Sequence, residues 1–369
     1  MKKINIKRFL TTLVLGVIAA VIIIKFITFL TGAIAGMKIV DTGRTITPAV
    51  VSEQDFDEYN GKIAVVNSKG VEFYDNKGNY DSDIAYKIYS PFIYTKEKFA
   101  AIADIGTQNA MVLKGASPAY RITEQEPISA VSVNKNGYTA VITNESGYKS
   151  SVVIYDNLGS KIYTWYSGEV YVTDVKISDS NKRFAIVGID AEDNLKSVVK
   201  LFKISESEPY SQVIFESELA YQLEYRGGSV MLLTDKELKI ISSGGKVKNR
   251  YSFDGQTLLC YDIKNAKMPV VTLDDKENAG SKVVVLNSAL RERGSCNIEG
   301  QAKMMDENKK EVVVSNGDTL YLISSFGRVK AKGQMHKEAE NMKFSADKNH
   351  IFTLSGNTLG VYEIKYGRE

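Results

Sequence analysis

Residues 131–165 read VSVNKNGYTAVITNESGYKSSVVIYDNLGSKIYTW, a segment whose pattern predicts the architecture of the chain. Four short runs rich in β-branched and aromatic residues alternate with clusters of Asn, Asp, Ser and Gly, which favour turns. The hairpin turns NKNG and DNLG both end in glycine, a residue that readily adopts the positive φ that such turns need. The stretch therefore predicts four consecutive antiparallel strands.

The same pattern recurs along the chain. Eight runs align as equivalent second strands, and their starts are 37 to 46 residues apart: 62–67, 99–103, 138–143, 183–187, 229–234, 268–273, 311–315 and 350–355. A four-stranded propeller blade takes about 40–45 residues. We therefore predict an all-β protein, a β-propeller with eight four-stranded antiparallel blades. Seven blades are the alternative, because the first unit's inner strand at residues 55–59 is a poor strand former.

Closure of the ring needs a strand from elsewhere in the chain. The last unit ends at its third strand, Gly360–Lys365, and lacks a fourth. The segment Ile46–Val51 is apolar enough to supply it. We predict that this segment completes the last blade.

Over residues 46–366 the chain resembles bacterial β-propellers of the WD40-like and quinoprotein-like kinds. The resemblance rests on the repeat layout and on the Tyr-Asp-Asn-x-Gly hairpins at residues 74–78 and 155–159. More narrowly, the chain is similar to an uncharacterised bacterial family of single-pass membrane proteins with an extracytoplasmic propeller, a domain of unknown function. The resemblance implies a fold and a location but no reaction.

The N-terminus predicts a membrane anchor. Leu10–Leu30 is apolar except for Lys25, and 21 residues of helix span about 31 Å, the thickness of a bilayer core. Four basic residues precede this run, which keeps the N-terminus cytoplasmic and places the propeller outside. The predicted organisation is a cytoplasmic basic tail (1–9), a transmembrane signal-anchor helix (10–30), a tether (31–45) and a β-propeller ectodomain (46–369). Cleavage after Ala35, as in a signal peptide, is the alternative.

Composition excludes several classes of function. Residues 1–37 hold five basic groups and no acidic ones, which leaves 42 basic against 44 acidic residues in the remainder. A near-neutral ectodomain gives no electrostatic footprint for nucleic acid. Only two histidines and two cysteines are present, so a metal site would have few ligands. A quinone-cofactor propeller would be expected to stack tryptophans between its blades, and this chain has one tryptophan. We predict no metal and no cofactor.

No catalytic motif stands out. The Gly-His and Trp-Asp dipeptides of WD40 repeats, aspartate boxes and a Gly-x-Ser-x-Gly elbow are all absent from the sequence. His336 lies in a polar stretch that reads as a loop, and His350 opens a strand. We therefore predict no catalytic residue and leave the question of enzymatic activity open, with a non-enzyme favoured.

Two acidic loops are the candidate partner surface. The segments 190–197 and 274–281 read as the longest connections between second and third strands, and such loops crowd one face of a propeller. Their acidic residues are the predicted partner-binding positions: Asp190, Glu192, Asp193, Asp274 and Asp275. None of these runs has the spacing of a calcium loop, so solvated turns are the competing interpretation.

The two cysteines test the strand assignment. Cys260 falls on the innermost strand of the sixth unit and Cys296 on its outermost strand. Three strand spacings separate them by about 14 Å, beyond the reach of about 7 Å for a disulfide. We predict two free thiols.

We therefore predict a non-catalytic binding or scaffold module, anchored in the cell membrane with the propeller extracytoplasmic. Its partner would be an envelope protein or a glycan. The alternatives are an envelope hydrolase with carboxylates in the central funnel and a structural subunit of a membrane complex. The latter is hinted at by the small-residue pair Gly16 and Ala20.

Overall fold

The computed structural model describes residues 36–49, 53–192 and 195–366. Within these residues, thirty-two strands form eight four-stranded antiparallel sheets, which are the blades of a propeller. The predicted number of eight blades is confirmed. No helix in this described part is long and apolar enough to cross a membrane, and the predicted anchor at residues 10–30 lies outside it.

The first strand, β1 (Met37–Ile46), is the outermost strand of blade 8. From innermost to outermost strand, blades 1 to 4 are β2 (Asp55–Tyr59), β3 (Lys62–Asn67), β4 (Gly70–Tyr74), β5 (Tyr80–Ala85); β6 (Pro91–Lys96), β7 (Phe99–Asp104), β8 (Asn109–Lys114), β9 (Ser117–Thr123); β10 (Ile128–Val133), β11 (Thr139–Thr143), β12 (Ser150–Tyr155), β13 (Lys161–Ser167); β14 (Tyr171–Ile177), β15 (Arg183–Asp190), β16 (Lys196–Lys203), β17 (Ser211–Glu216). Blades 5 to 8 are β18 (Ala220–Arg226), β19 (Ser229–Thr234), β20 (Glu237–Ile241), β21 (Val247–Ser252); β22 (Leu258–Asp262), β23 (Val270–Asp275), β24 (Gly280–Leu286), β25 (Glu292–Glu299); β26 (Met304–Glu307), β27 (Glu311–Ser315), β28 (Thr319–Ser324), β29 (Val329–Gln334); β30 (Asn341–Phe344), β31 (His350–Ser355), β32 (Thr358–Tyr366) and β1.

The core lies between blades rather than inside them. Among the described residues there are eight hydrophobic clusters, and each is built from two neighbouring blades, including blades 8 and 1. Between blades 3 and 4, the Phe184 and Phe202 rings stack at 4.5 Å, and Trp165 meets Phe202 at 5.0 Å. The middle strands are buried on both faces, as all six residues of β7 and of β12 show. Middle strands therefore read as continuous apolar runs, which makes the repeat visible in the sequence.

The predicted third-to-fourth-strand hairpins form. In blade 3, Oδ1 of Asp156 accepts hydrogen bonds from the Leu158 and Ser160 amides at 2.9 and 2.8 Å. Gly159 closes this turn with φ of +83°, and a Cβ there would meet the Tyr120 side chain at 2.9 Å. Glycine is required here for backbone geometry and for close packing of the neighbouring blade.

Ring closure uses an N-terminal strand as predicted, but the predicted segment is wrong. The closing strand β1 is Met37–Ile46, most of which was assigned to the tether, rather than Ile46–Val51. Its buried positions include Ile39 and Ile46, while Arg44 is exposed. An outermost strand covers only one face, so it needs few apolar residues, and a search for an apolar run passes over it.

The two faces of the ring differ in their connections. The turns between first and second strands, and in blades 1 to 7 those between third and fourth strands, lie at one end of the blades. The other connections lie at the opposite end. Met37 pairs with Tyr366 at the first of these ends. We call this end the terminal face, because both ends of the described chain leave from it, and the other the opposite face.

Candidate functional site

Charged and polar side chains from the inner strands meet in the central channel. They come from blades 1, 2, 4, 5, 6, 7 and 8 and include Asp57, Tyr94, Lys96, Asp174, Lys176, Glu224, Asp262, Lys264, Asp306 and Lys343. Inner strands run toward the terminal face, and most of these residues lie in the second half of their strand or just after it. We call this set the channel network.

Lys264 ties blade 6 to blades 1 and 2. Its Nζ atom donates to Oδ2 of Asp57 at 2.7 Å and to Oγ1 of Thr95 at 2.8 Å, and the Thr95 hydroxyl also donates to Asp57 at 2.7 Å. Burial by itself would raise the pKa of Asp57, but the Lys264 and Lys343 ammonium groups and these hydrogen bonds hold it below its usual value. Asp57 is therefore a fixed anion, and the tie is an ion pair.

Lys343 serves a second group of carboxylates. Its Nζ atom lies 3.4 Å from Oδ1 of Asp306 and 3.9 Å from Oδ1 of Asp57. Burial raises the pKa of Asp306 to about 7 against the attraction of Lys343, and burial also raises the pKa of Asp262. Burial would lower the pKa of Lys343, but the carboxylates of Asp306, Asp57 and Asp262 raise it. One lysine therefore stabilises several buried carboxylates.

A third tie crosses from blade 2 to blade 5. Glu224 accepts hydrogen bonds from the Tyr94 hydroxyl at 2.9 Å and from Nζ of Lys96 at 3.2 Å. The Nζ atom of Lys176 lies 4.7 Å from the Tyr94 ring centroid and 2.5 Å from Oδ1 of Asp174. The two contacts of Glu224 join residues 130 and 128 positions apart in sequence, across the channel rather than around it.

Acidic side chains also join the inner strands of neighbouring blades by hydrogen bonds to backbone amides. Oδ2 of Asp55 accepts the Ile93 amide at 3.0 Å, that of Asp174 accepts the Leu223 amide at 3.0 Å, and that of Asp306 accepts the Phe344 amide at 2.7 Å. These are the same contact at the boundaries between blades 1 and 2, 4 and 5, and 7 and 8. The carboxylates therefore have structural partners.

The network bears on the alternative of a funnel hydrolase. Carboxylates do converge here, and burial raises the pKa of Glu307 to about 7, as it does for Asp306. A general acid needs access to substrate. The side chains of Asp306 and Asp57 are almost fully buried; Lys343 lies within 4 Å of both, and Lys264 pairs with Asp57. These carboxylates are engaged in ion pairs and backbone hydrogen bonds.

The predicted partner residues lie at the opposite face, on two separate blades. Asp190 ends β15 in blade 4, and Glu192 follows it with its side chain 72% exposed. Asp274 and Asp275 end β23 in blade 6, and Oδ2 of Asp275 is used by Asn278 and Asn297 at 2.8 and 3.1 Å. Blade 5 lies between these loops, so they do not form one site. Asp193 lies outside the described residues.

The loop lengths were predicted wrongly. The connections of residues 191–195 and 276–279 are shorter than the one at 144–149, which is the longest second-to-third-strand connection. The longest of these connections is therefore one that the sequence did not single out.

That loop carries an exposed aromatic surface. Tyr148, which is 52% exposed, stacks on Tyr166 with ring centroids 5.0 Å apart. Lys149 lies 5.6 Å from the Tyr171 ring centroid, and its Nζ atom lies 2.6 Å from Oε1 of Glu192. We call Tyr148, Tyr166 and Tyr171 the tyrosine cluster. The predicted residue Glu192 lies at its edge.

Two further features concern metals and thiols. Among residues 36–49, 53–192 and 195–366, no group of three or more histidine, cysteine or acidic side chains is arranged to hold a metal ion. Cys260 lies on β22 and Cys296 on β25, so their predicted placement on the innermost and outermost strands of blade 6 is confirmed, and both thiols are free. Burial raises the pKa of each thiol to about 11.

Comparison with known proteins gives a family. Residues 39–364 match the model of DUF5711, a family of unknown function. The chain belongs to this family. The DUF5711 match begins within β1 and ends within β32, so it includes the ring-closing pair of strands. No curated protein sequence matches the chain significantly.

Solved structures share the architecture of this DUF5711 propeller. BamB from Moraxella catarrhalis is 11% identical with a TM-score of 0.56 and is covered over 99% of its length by 88% of this chain. The C-terminal WD40 domain of Sif2 is 12% identical with a TM-score of 0.61, covering 86% of this chain and 100% of that one. The computationally designed Ika8 protein is 14% identical with a TM-score of 0.63, covering 89% and 100%. At these identities the likeness establishes the propeller fold.

Proposed function

We propose that this DUF5711 protein is a membrane-anchored, extracytoplasmic scaffold that binds an envelope protein through its opposite face. The tyrosine cluster is the observation that carries the proposal. Exposed tyrosines grouped on one patch are enriched at protein interfaces, where their rings bury a large area at low entropic cost. The cluster spans blades 3 and 4.

The position of the chain ends supports this orientation. Met37 and Tyr366 both lie at the terminal face, so both ends of the described chain lie away from the opposite face. With residues 10–30 as the anchor, residues 31–36 join it to β1. Six residues span at most about 22 Å, so the terminal face would stay close to the membrane and the tyrosine cluster would point away from it.

The pairing of the channel carboxylates supports binding rather than catalysis. The carboxylates are paired with lysines or with backbone amides, and they tie opposite blades together. A ring held rigid in this way presents its loops in fixed positions, which lowers the entropic cost of binding. Tethering would raise the local concentration of the scaffold near an envelope partner.

Site-specific photocrosslinking in native membranes tests the proposal. A benzophenone amino acid replaces Tyr148 in the full-length protein, and a matched protein carries it at Tyr89, an exposed tyrosine between β5 and β6 on the same face. We expect a discrete protein adduct at position 148, weakened by Tyr166→Ala, and no such adduct at position 89. Equal adducts at both positions, or none at 148, would contradict an interface at the tyrosine cluster.

A second measurement tests location. External protease added to intact cells, with the outer wall removed where necessary, should digest the propeller while a cytoplasmic control protein survives. Protection of the propeller until the cells are lysed would contradict an extracytoplasmic domain. A further variant exchanges residues 1–35 for another membrane anchor. If the adduct at position 148 is lost only in that variant, the helix holds the partner, which would instead favour a subunit of a membrane complex.

A further inference from the structure

The two faces of the propeller carry opposite net charge. The described connections of the terminal face contain twelve basic and seven acidic residues. Those of the opposite face contain seven basic and thirteen acidic residues. Lys264 is one of the twelve and is engaged in the channel, which still leaves the terminal face clearly positive. The near-neutral charge of the whole ectodomain conceals this asymmetry.

Two apolar side chains project from the positive face. Leu158 is 81% exposed at the tip of the β12–β13 hairpin, and Phe326 is 61% exposed at the tip of the β28–β29 hairpin. These hairpins belong to blades 3 and 7, which lie on opposite sides of a ring of eight. Tyr366, also exposed, lies at the same face.

Both tips are held in place. The amide of Leu158 donates to Asp156 at 2.9 Å, and that of Phe326 donates to the Ser324 hydroxyl at 3.3 Å. The Arg293 guanidinium lies 5.1 Å from the Phe326 ring centroid. Exposed leucine and phenylalanine side chains at fixed tips, on a face whose net charge is positive, have the chemistry of an interfacial membrane contact.

We propose that the terminal face rests on an anionic phospholipid surface, with Leu158 and Phe326 entering the interface. Lysine and arginine side chains are attracted to an anionic leaflet when they lie within a Debye length of its surface. Apolar side chains that enter the interface add a favourable free energy, because their exposed surface is removed from water. This proposal rests on the proposed function, because the membrane anchor is what brings the terminal face to the bilayer. The contact fixes the tilt of the scaffold and the direction of the tyrosine cluster.

Depth-dependent quenching in proteoliposomes tests this contact. Tryptophan is introduced into the full-length protein as Leu158→Trp or Phe326→Trp, and as Tyr148→Trp for a matched position on the opposite face. Vesicles contain equal parts of phosphatidylglycerol and phosphatidylcholine, or phosphatidylcholine alone, with acyl chains brominated as quencher. The signal of Trp165, the one natural tryptophan, is subtracted using the unsubstituted protein.

In the anionic vesicles we expect the fluorescence of tryptophan at positions 158 and 326 to be quenched. Tryptophan at position 148 should not be quenched. Salt at about 1 M shortens the screening length to about 3 Å and should abolish most of the quenching. Lys309→Glu with Lys348→Glu, both on the terminal face, should weaken it. Lys276→Glu with Lys337→Glu, both on the opposite face, should leave it unchanged.

The outcomes separate the docking from the tether. Flotation with vesicles at high salt reports the anchor, whereas quenching at low salt reports the contact. Flotation without quenching at 158 and 326, or stronger quenching at 148, would overturn the docking and leave the tether standing. Quenching at 158 and 326 without flotation at high salt would support the docking and contradict the anchor. Absence of any vesicle binding would overturn both.

Discussion

The Nζ atom of Lys264 lies 2.7 Å from Oδ2 of Asp57, although the two residues are 207 positions apart in sequence. Lys264 follows the inner strand of blade 6, and Asp57 lies on that of blade 1. Contacts between neighbouring blades run around the ring, whereas this one runs across it. The channel of this propeller therefore contributes to its rigidity.

Replacing Lys264 by methionine should destabilise the fold by roughly 3 kcal/mol, because removal of one partner leaves Asp57 as a poorly compensated buried charge. Urea unfolding followed by circular dichroism measures the difference. Lys332→Met is the matched control, since Lys332 forms an exposed pair with Glu299 at 3.3 Å and should lose about 1 kcal/mol or less. An equal decrease in the free energy of unfolding for the two variants would show that the Lys264–Asp57 pair stabilises the fold no more than an exposed ion pair does.

Stability should fall as the pH rises from about 5 to about 8. Burial raises the pKa values of Asp306 and Glu307 to about 7 in the folded state, from ordinary values of 3.8 and 4.5. The folded state therefore binds more protons than the unfolded state in this range, so the contribution of both groups is complete below their ordinary pKa values and is lost as the pH passes 7.

The double variant Asp306→Asn with Glu307→Gln isolates this effect, because it cannot titrate at either position. Thermal unfolding at several pH values should give a flatter profile for the variant than for the parent chain. A parent whose stability rises steadily between pH 5 and pH 8, or an unchanged slope in the variant, would contradict the assignment.

The closing strand can be tested by two adjacent substitutions. Ile39 is buried in the cluster between blades 7 and 8, whereas Val40, its neighbour on β1, is exposed. Ile39→Asp should cost several kcal/mol, because it places a charge in that cluster, while Val40→Asp should change stability by about 0.5 kcal/mol or less. Chemical denaturation curves provide the comparison. Similar losses at both positions would mean that β1 does not pack in the described register.

The free thiols should react slowly in the native state. Burial moves the pKa of Cys260 and Cys296 from 9.0 to about 11, so the thiolate fraction at pH 8 falls about 100-fold. Timed alkylation with iodoacetamide, with and without denaturant, should show this ratio by mass spectrometry. A disulfide between the two residues, or labelling at the unfolded rate, would contradict the strand positions in blade 6.

The sequence predicted the blades because their middle strands are buried on both sides. Runs such as residues 99–103 and 229–234 carry apolar residues at every position or nearly so, and the turns between them repeat the same few residue types. The number of blades followed from the spacing of these runs. The position of the cysteines on β22 and β25 followed from the same alignment.

The closing strand and the channel network were harder to predict. β1 is half exposed and largely polar, so neither its composition nor its alternation distinguishes it from a tether. The channel network joins residues such as Tyr94 and Glu224, which lie 130 positions apart. Charged residues near the ends of inner strands were the available signal, but pairing them requires the geometry of the closed ring.

Pairing of β1 with β32 also sets the order of events during synthesis. Thr42 and Val361, which are hydrogen-bonded at 2.7 Å in the finished ring, are made 319 residues apart. The first strand of the propeller must therefore wait, with its edge unpaired, until almost the whole chain has been translated. An exposed edge of this kind is a hazard for aggregation, and contacts of such long range are slow to form. Closure of the ring is therefore a late step of folding, which cannot precede synthesis of the last blade.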